Sequence, residues 1–186
     1  MRDRWRQLLR RFRRDRRGVA AVEFALILPF LLLLYLGTIE VSSLYTADRR
    51  VTTIAGTVGD LVARTNGALS TAVLTDYFAA AKRIMQPYSL TGLEQVVSVV
   101  SVADNGTATV TWSRGSTPES TPRAVGTTYP LALGSQMSAL ARDGFLVVTE
   151  VEYPYKPVYG VIIETTITLK RTEYFLPRYG VEVTIS

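Results

Sequence analysis

Residues 19–39, VAAVEFALILPFLLLLYLGTI, form a run of 21 residues with one charge, Glu23. A helix of that length rises about 30 Å, the thickness of a bilayer's hydrocarbon core. The segment before it is its opposite. Nine Arg and two Asp give residues 1–17 a charge of +7, so the rest of a chain whose net charge is +5 carries −2. A buried helix of a soluble domain would not need such a flank. The positive-inside rule places the arginines in the cytoplasm and sends everything after Ile39 across the membrane. Tyr35 and Tyr45 then fall near the outer interface, and Pro29, inside the run, predicts a helix kink. Gly37-Thr38-Ile39-Glu40-Val41 lacks a small-x-small cleavage site, so a conventional secretory signal does not fit.

Composition excludes much chemistry. The chain has no His and no Cys. That removes a Ser-His-Asp triad, an imidazole or thiolate metal site, a thiol nucleophile and any disulfide. None of Lys82, Lys156 and Lys170 stands in a Ser-x-x-Lys motif, and Gly-rich phosphate loops are absent. Glu150, Glu152, Glu164 and Asp143 read as exposed strand or turn positions rather than an acid/base pair. The expectation is a non-enzyme without cofactor, metal or small-molecule substrate. Within the tail, Trp5, Leu8, Leu9 and Phe12 make an apolar stripe on a cationic helix, suited to anionic lipid. Nucleic-acid binding is the rival reading of an arginine run, but next to a membrane segment topology and lipid contact explain it better.

An ionisable group a few positions inside a membrane helix is costly and suggests function. Around Glu23 the sequence is Arg16-Arg17-Gly18-Val19-Ala20-Ala21-Val22-Glu23-Phe24. It resembles the processing site of type IV pilin-like proteins, in which a basic leader ends in Gly and the fifth residue after the cut is Glu. Within that superfamily, the stretch on to Pro29 looks most like the TadE-like proteins of tight-adherence (Flp) pilus systems, regarded as pseudopilins or minor pilins. A fainter echo is Val151–Pro157, similar to that family's Tyr-Pro-Tyr-x-Pro segment. The resemblance implies cleavage by a prepilin peptidase between Gly18 and Val19, with Glu23 and Phe24 as fifth and sixth mature residues serving assembly. It also implies partners among other pilins or pseudopilins of the apparatus. Cutting there would remove the +7 leader, letting the helix leave the bilayer for a filament. The Glu23 carboxylate could then pair with a neighbour's Val19 ammonium.

Past the membrane the helix continues to about Arg64, with Leu44, Val51, Ile54, Ala55, Val58, Leu61 and Val62 near helical spacing and Asn66-Gly67 as a stop. Gly56 and Gly59 either weaken this helix or permit close packing. A second helix is expected over Ser70–Met85, capped by Ser70 and ended by Pro87. Strands are expected at Glu94–Ala103 and Thr107–Trp112 around Asp104-Asn105-Gly106, then at Phe145–Tyr155 and Val161–Phe175, the last either whole or split, with a loop over 114–130 and a helical patch at Ser135–Arg142. Tyr153, Tyr155 and Tyr159 form a candidate partner surface.

The sequence thus predicts an α+β, pilin-like protein. Its parts are a leader (1–18), a transmembrane helix (19–39), a helix extension (40–66) and an extracytoplasmic domain (67–186) with a second helix and a roughly four-stranded antiparallel sheet. It is placed in a bacterial cytoplasmic membrane as a single pass, N-terminus inside, entering the pilus after processing. The alternative is an uncleaved membrane scaffold of the same secretion or pilus apparatus.

Overall fold

The structure, a computed structural model, describes residues 18–131, 139–160 and 162–186. One helix, α1, runs from Val19 to Ala63, about 68 Å at 1.5 Å per residue. It stays helical through Pro29, although that residue has no N–H to offer the Ala25 carbonyl. From Thr38 onward, Thr38, Thr46, Thr52 and Thr53 return their hydroxyls to the carbonyl four residues back, so these polar side chains need no outside partner.

A two-residue strand β1 (Ala68–Leu69) leads into α2 (Thr71–Lys82), which a 3-10 turn extends to Met85. Ser70 caps α2 as its residue type predicts, its hydroxyl accepting the Val73 N–H at 3.3 Å. Strands β2 (Glu94–Val102), β3 (Ala108–Gly115), β4 (Gly144–Tyr155) and β5 (Ile167–Phe175) form an antiparallel sheet ordered β3-β2-β4-β5. The turn at 104–106 closes on Asn105, whose side-chain oxygen accepts the Thr107 N–H, with Gly106 at φ 83°. A last strand, β6 (Thr184–Ile185), pairs parallel with β1. The Ser186 carbonyl accepts the Thr71 N–H at 2.9 Å, fastening the C-terminus to the start of α2.

Both faces of the sheet are covered. On one, Val97, Val99, Val147 and Val151 pack against Ala47, Val51, Ile54, Val58 and Val62 of α1 and Leu74, Phe78 and Met85 beside it. On the other, Val100, Val102, Ala108, Val110, Leu146 and Val148 lie under Tyr129 and Ala141. A bulge divides β3 between these cores: Val99 pairs with Trp112 and Val100 with Val110, leaving Thr111 as the extra residue. Strict alternation would put Trp112 on the face of Val110; the bulge turns it to the helix side, where its indole N–H donates to the Val183 carbonyl.

Two expectations are corrected. The last long strand begins at Ile167, not Val161; Gly160 takes φ 63° and the Ile162 and Ile163 amides turn to α1 instead of extending a ladder. The proposed tyrosine surface also does not form. Tyr153 and Tyr155, two apart on β4, share the helix-covered face and are core residues, whereas Tyr159 is exposed. Burial pushes both buried phenols above the ordinary tyrosine pKa. Of the patch Ser135–Arg142, residues 139–141 are helical and 135–138 lie outside the described residues.

Two of the three glycines of α1, Gly56 and Gly59, have opposite roles. A Cβ on Gly59 would come within 2.4 Å of the Phe175 ring, whereas one on Gly56 would meet nothing within 4 Å. Gly59→Ala should therefore destabilise the protein by about 1–3 kcal/mol through overpacking. Gly56→Ala should stabilise it by about 0.5–1 kcal/mol through backbone entropy. Urea midpoints of the detergent-solubilised full chain test the pair, and equal shifts of one sign would refute this packing.

Candidate functional site: the bare half of the long helix and its junction with the body

The site is a single helix in two physical states. From Gly18 to Tyr35 every residue is exposed, and burial begins at Gly37. The apolar window is 0% buried within the protein, and α1 is long and apolar enough to cross a membrane. A core helix of a soluble domain would be covered, so the segment is a candidate membrane span, the one such helix among the described residues. Val22, Phe24, Leu26, Phe30 and Leu34 are among its exposed side chains. That apolar surface requires lipid or other apolar helices around it.

The sequence-predicted residues lie on this bare half. Gly18 sits at the N-cap with no side-chain cap bond, and Val19 opens the helix. Glu23 follows one turn later, and among the described residues it has no salt bridge. Phe24 is 58% exposed beside it. The arginine leader lies outside the described residues, as does the expected amphipathic stripe.

The other half of α1 is fastened to the body at every level. Nearest the bare segment, buried Glu40 accepts the Ile162 and Ile163 N–H groups at 3.0 and 3.2 Å. Ile162 also lies across Gly37, where a Cβ would stand 2.3 Å from its Cδ1. Farther along, the Ser43 carbonyl accepts the Tyr88 hydroxyl, and Arg50 donates to the Ile84 and Gln86 carbonyls with its guanidinium over the Tyr88 ring. Arg171 of β5 pairs with Asp48 and reaches Thr52. At the far end Asp60 holds Arg178 at 2.7 Å, and the Arg178 N–H caps the helix at the Ala63 carbonyl. Hydrogen bonds from Arg64 and then Arg178 hold the Asp60 carboxyl below its usual range.

This arrangement is a mechanical coupling. Among the described residues no group of three or more acidic, His or Cys side chains could hold a metal ion. What it provides is a membrane-length apolar rod fixed to a folded body, so that a displacement of either moves the other.

Residues 18–58 match the family model of TadE-like proteins. The TadE-like match opens on Gly18 and takes in Glu23, Phe24, Pro29, Gly37 and Glu40. It ends one residue before the glycine that admits Phe175. It covers less than a quarter of the chain, all within α1 and its cap; the sheet and the Val151–Pro157 segment lie outside it. No curated protein and no solved structure matches the chain.

Sequence reasoning missed Glu40, which it named only within the Gly37–Val41 stretch that lacks a cleavage site. Its partners include two main-chain amides more than 120 residues away. The one signal was a carboxylate at a boundary with no nearby basic residue before Arg49.

Proposed function

We propose that this protein is a pseudopilin or minor pilin of a Tad (Flp)-type pilus, cut after Gly18 by a prepilin peptidase, with a structural rather than a catalytic role. The observation that carries this reading is the TadE-like match that opens on Gly18 over a helix whose first half has no cover from its own chain. In the bacterial cytoplasmic membrane, the arginine leader holds the N-terminus inside and the folded body lies on the far side. Cleavage removes the leader and creates an ammonium at Val19. The rod is then able to move from lipid into a bundle of neighbouring pilin helices, while the clamps from Glu40 to Asp60 carry the body with it.

The test is the intact mass of the protein purified from cells with and without the peptidase. A product beginning at Val19 only when the peptidase is present is the expected result. Persistence of Met1–Gly18 in both would overturn processing and leave the uncleaved single-pass scaffold of the same apparatus as the function.

A further inference from the structure

The contacts along α1 fix how deep each part of the body sits. Ala63 meets Arg178, Gly59 meets Phe175, Asp48 and Thr52 meet Arg171, and Glu40 meets Ile162 and Ile163. Strand β5 and helix α1 therefore descend together toward the bare apolar segment. At 3.3 Å per strand residue, the four positions from Arg171 to Ile167 cover about 13 Å. That matches roughly nine helix residues, and so reaches the level of Ile39–Glu40. The described residues of the loop joining β4 to β5, 156–160 and 162–166, lie at this end, and Ile162 touches Gly37 within the last turn of the 19–39 run.

This loop is unusually apolar for an exposed connection. Val158 is 69%, Tyr159 56% and Ile162 58% exposed. A neighbouring connection ends at the same level, since Tyr88 bonds Ser43, and it exposes Leu90. Tyr35, Val41 and Tyr45 project from the helix there. At the opposite end of the sheet, the β2–β3 turn is polar, with Asp104 and Asn105 exposed.

We infer that the β4–β5 loop is a membrane-interface foot: Val158, Tyr159 and Ile162 insert at the headgroup–acyl boundary of the leaflet that α1 leaves, held there by Glu40 and Gly37. The occupant is lipid, because the surface is continuous with the membrane-length apolar rod and ends where that rod ends. A tyrosine among aliphatic side chains with Lys156 alongside is the residue mix that favours this boundary. The foot keeps the body seated upright on the bilayer. The inference rests on reading residues 19–39 as the membrane span.

Because the chain has no Cys, single-cysteine variants of the full-length protein report position directly. Val158→Cys, Tyr159→Cys, Leu33→Cys and Asp104→Cys are each labelled with an environment-sensitive fluorophore. They are then reconstituted in phosphatidylcholine–phosphatidylglycerol vesicles carrying a shallow or a deep nitroxide lipid. Labels at 158 and 159 should be quenched several-fold more by the shallow nitroxide than the label at 104, and less by aqueous iodide. Deep quenching at 33 with 158 and 159 behaving like 104 would overturn the foot and leave the span intact. Absence of lipid quenching at 33 would overturn the span reading and the foot with it. Shielding at 158 and 159 that grows with protein density without nitroxide quenching would assign the surface to a second copy and also overturn the proposal.

Discussion

Trp112→Ala is expected to destabilise the protein by about 3–5 kcal/mol, the range for removing a large aromatic side chain from a packed core. The indole is 5% exposed and belongs to the cluster that joins α1 to the sheet. Its N–H donates to the carbonyl of Val183, itself wholly buried, one residue before β6. Truncation opens a cavity under the helix and strips that carbonyl of its donor, so the loss falls on both the main core and the C-terminal ribbon. Trp112→Phe separates the two contributions. It keeps most of the ring volume and removes the donor with a smaller part of the ring, for an expected cost of about 1–3 kcal/mol. Urea unfolding of the full chain in detergent, followed by far-ultraviolet circular dichroism, gives both values if the slopes stay constant. An alanine variant within about 1 kcal/mol of the parent would mean that the bulge at Thr111 does not aim Trp112 into this core.

That bulge illustrates what the sequence could and could not convey. Local signals were legible. The Ser70 cap, the Asp104-Asn105-Gly106 turn and the hydrophobic spacing of Val51, Ile54, Val58 and Val62 each act within a few residues, and each element forms where that chemistry put it. The α+β class follows from those elements. Illegible were the features that depend on a distant partner. Ala108, Val110 and Trp112 alternate as though on one face, and only the pairing of β3 with β2 reveals the extra residue. The β1–β6 ribbon joins two-residue strands that carry no periodicity. Tyr153 and Tyr155 looked like surface residues between prolines. They are core because they share the face of β4 that α1 covers, and β4 runs on through Pro154, which lies beyond the last β2–β4 pair, Glu94 with Glu152, and pairs only with Thr168 of β5. The candidate site divided along the same line: Gly18, Val19, Glu23, Phe24 and Pro29 are candidates that local context alone suggests, whereas Glu40 needed the fold.

Glu23→Leu should leave the leader cut and the body folded, yet abolish co-assembly with other pilins. The substitution lies downstream of the Gly18–Val19 bond, in the stretch from Gly18 to Tyr35 where every residue is exposed, so neither processing nor the clamps should respond. In the proposed bundle the situation is different. Glu23 lies four residues, about 6 Å along the axis, from the ammonium that cleavage creates, and it is exposed where a neighbouring helix would pack. A carboxylate or an ammonium alone in an apolar interface is expensive, and breaking a buried pair typically costs about 3–5 kcal/mol. Replacing Glu23 by Leu leaves the neighbour's ammonium without its partner at every interface, a loss of roughly a hundredfold or more in association per contact. Glu23→Gln should fall between, since it keeps the shape and a hydrogen-bond acceptor without the charge. Intact mass of the membrane fraction reports cleavage, and co-purification with the sheared pilus fraction reports assembly. Normal recovery of Glu23→Leu in that fraction would remove the charge pair from the mechanism, because a helix packed through Val22, Phe24 and Leu26 alone would gain rather than lose from an added leucine. A variant that is cut, folded and excluded would instead identify assembly as the step at which the carboxylate acts.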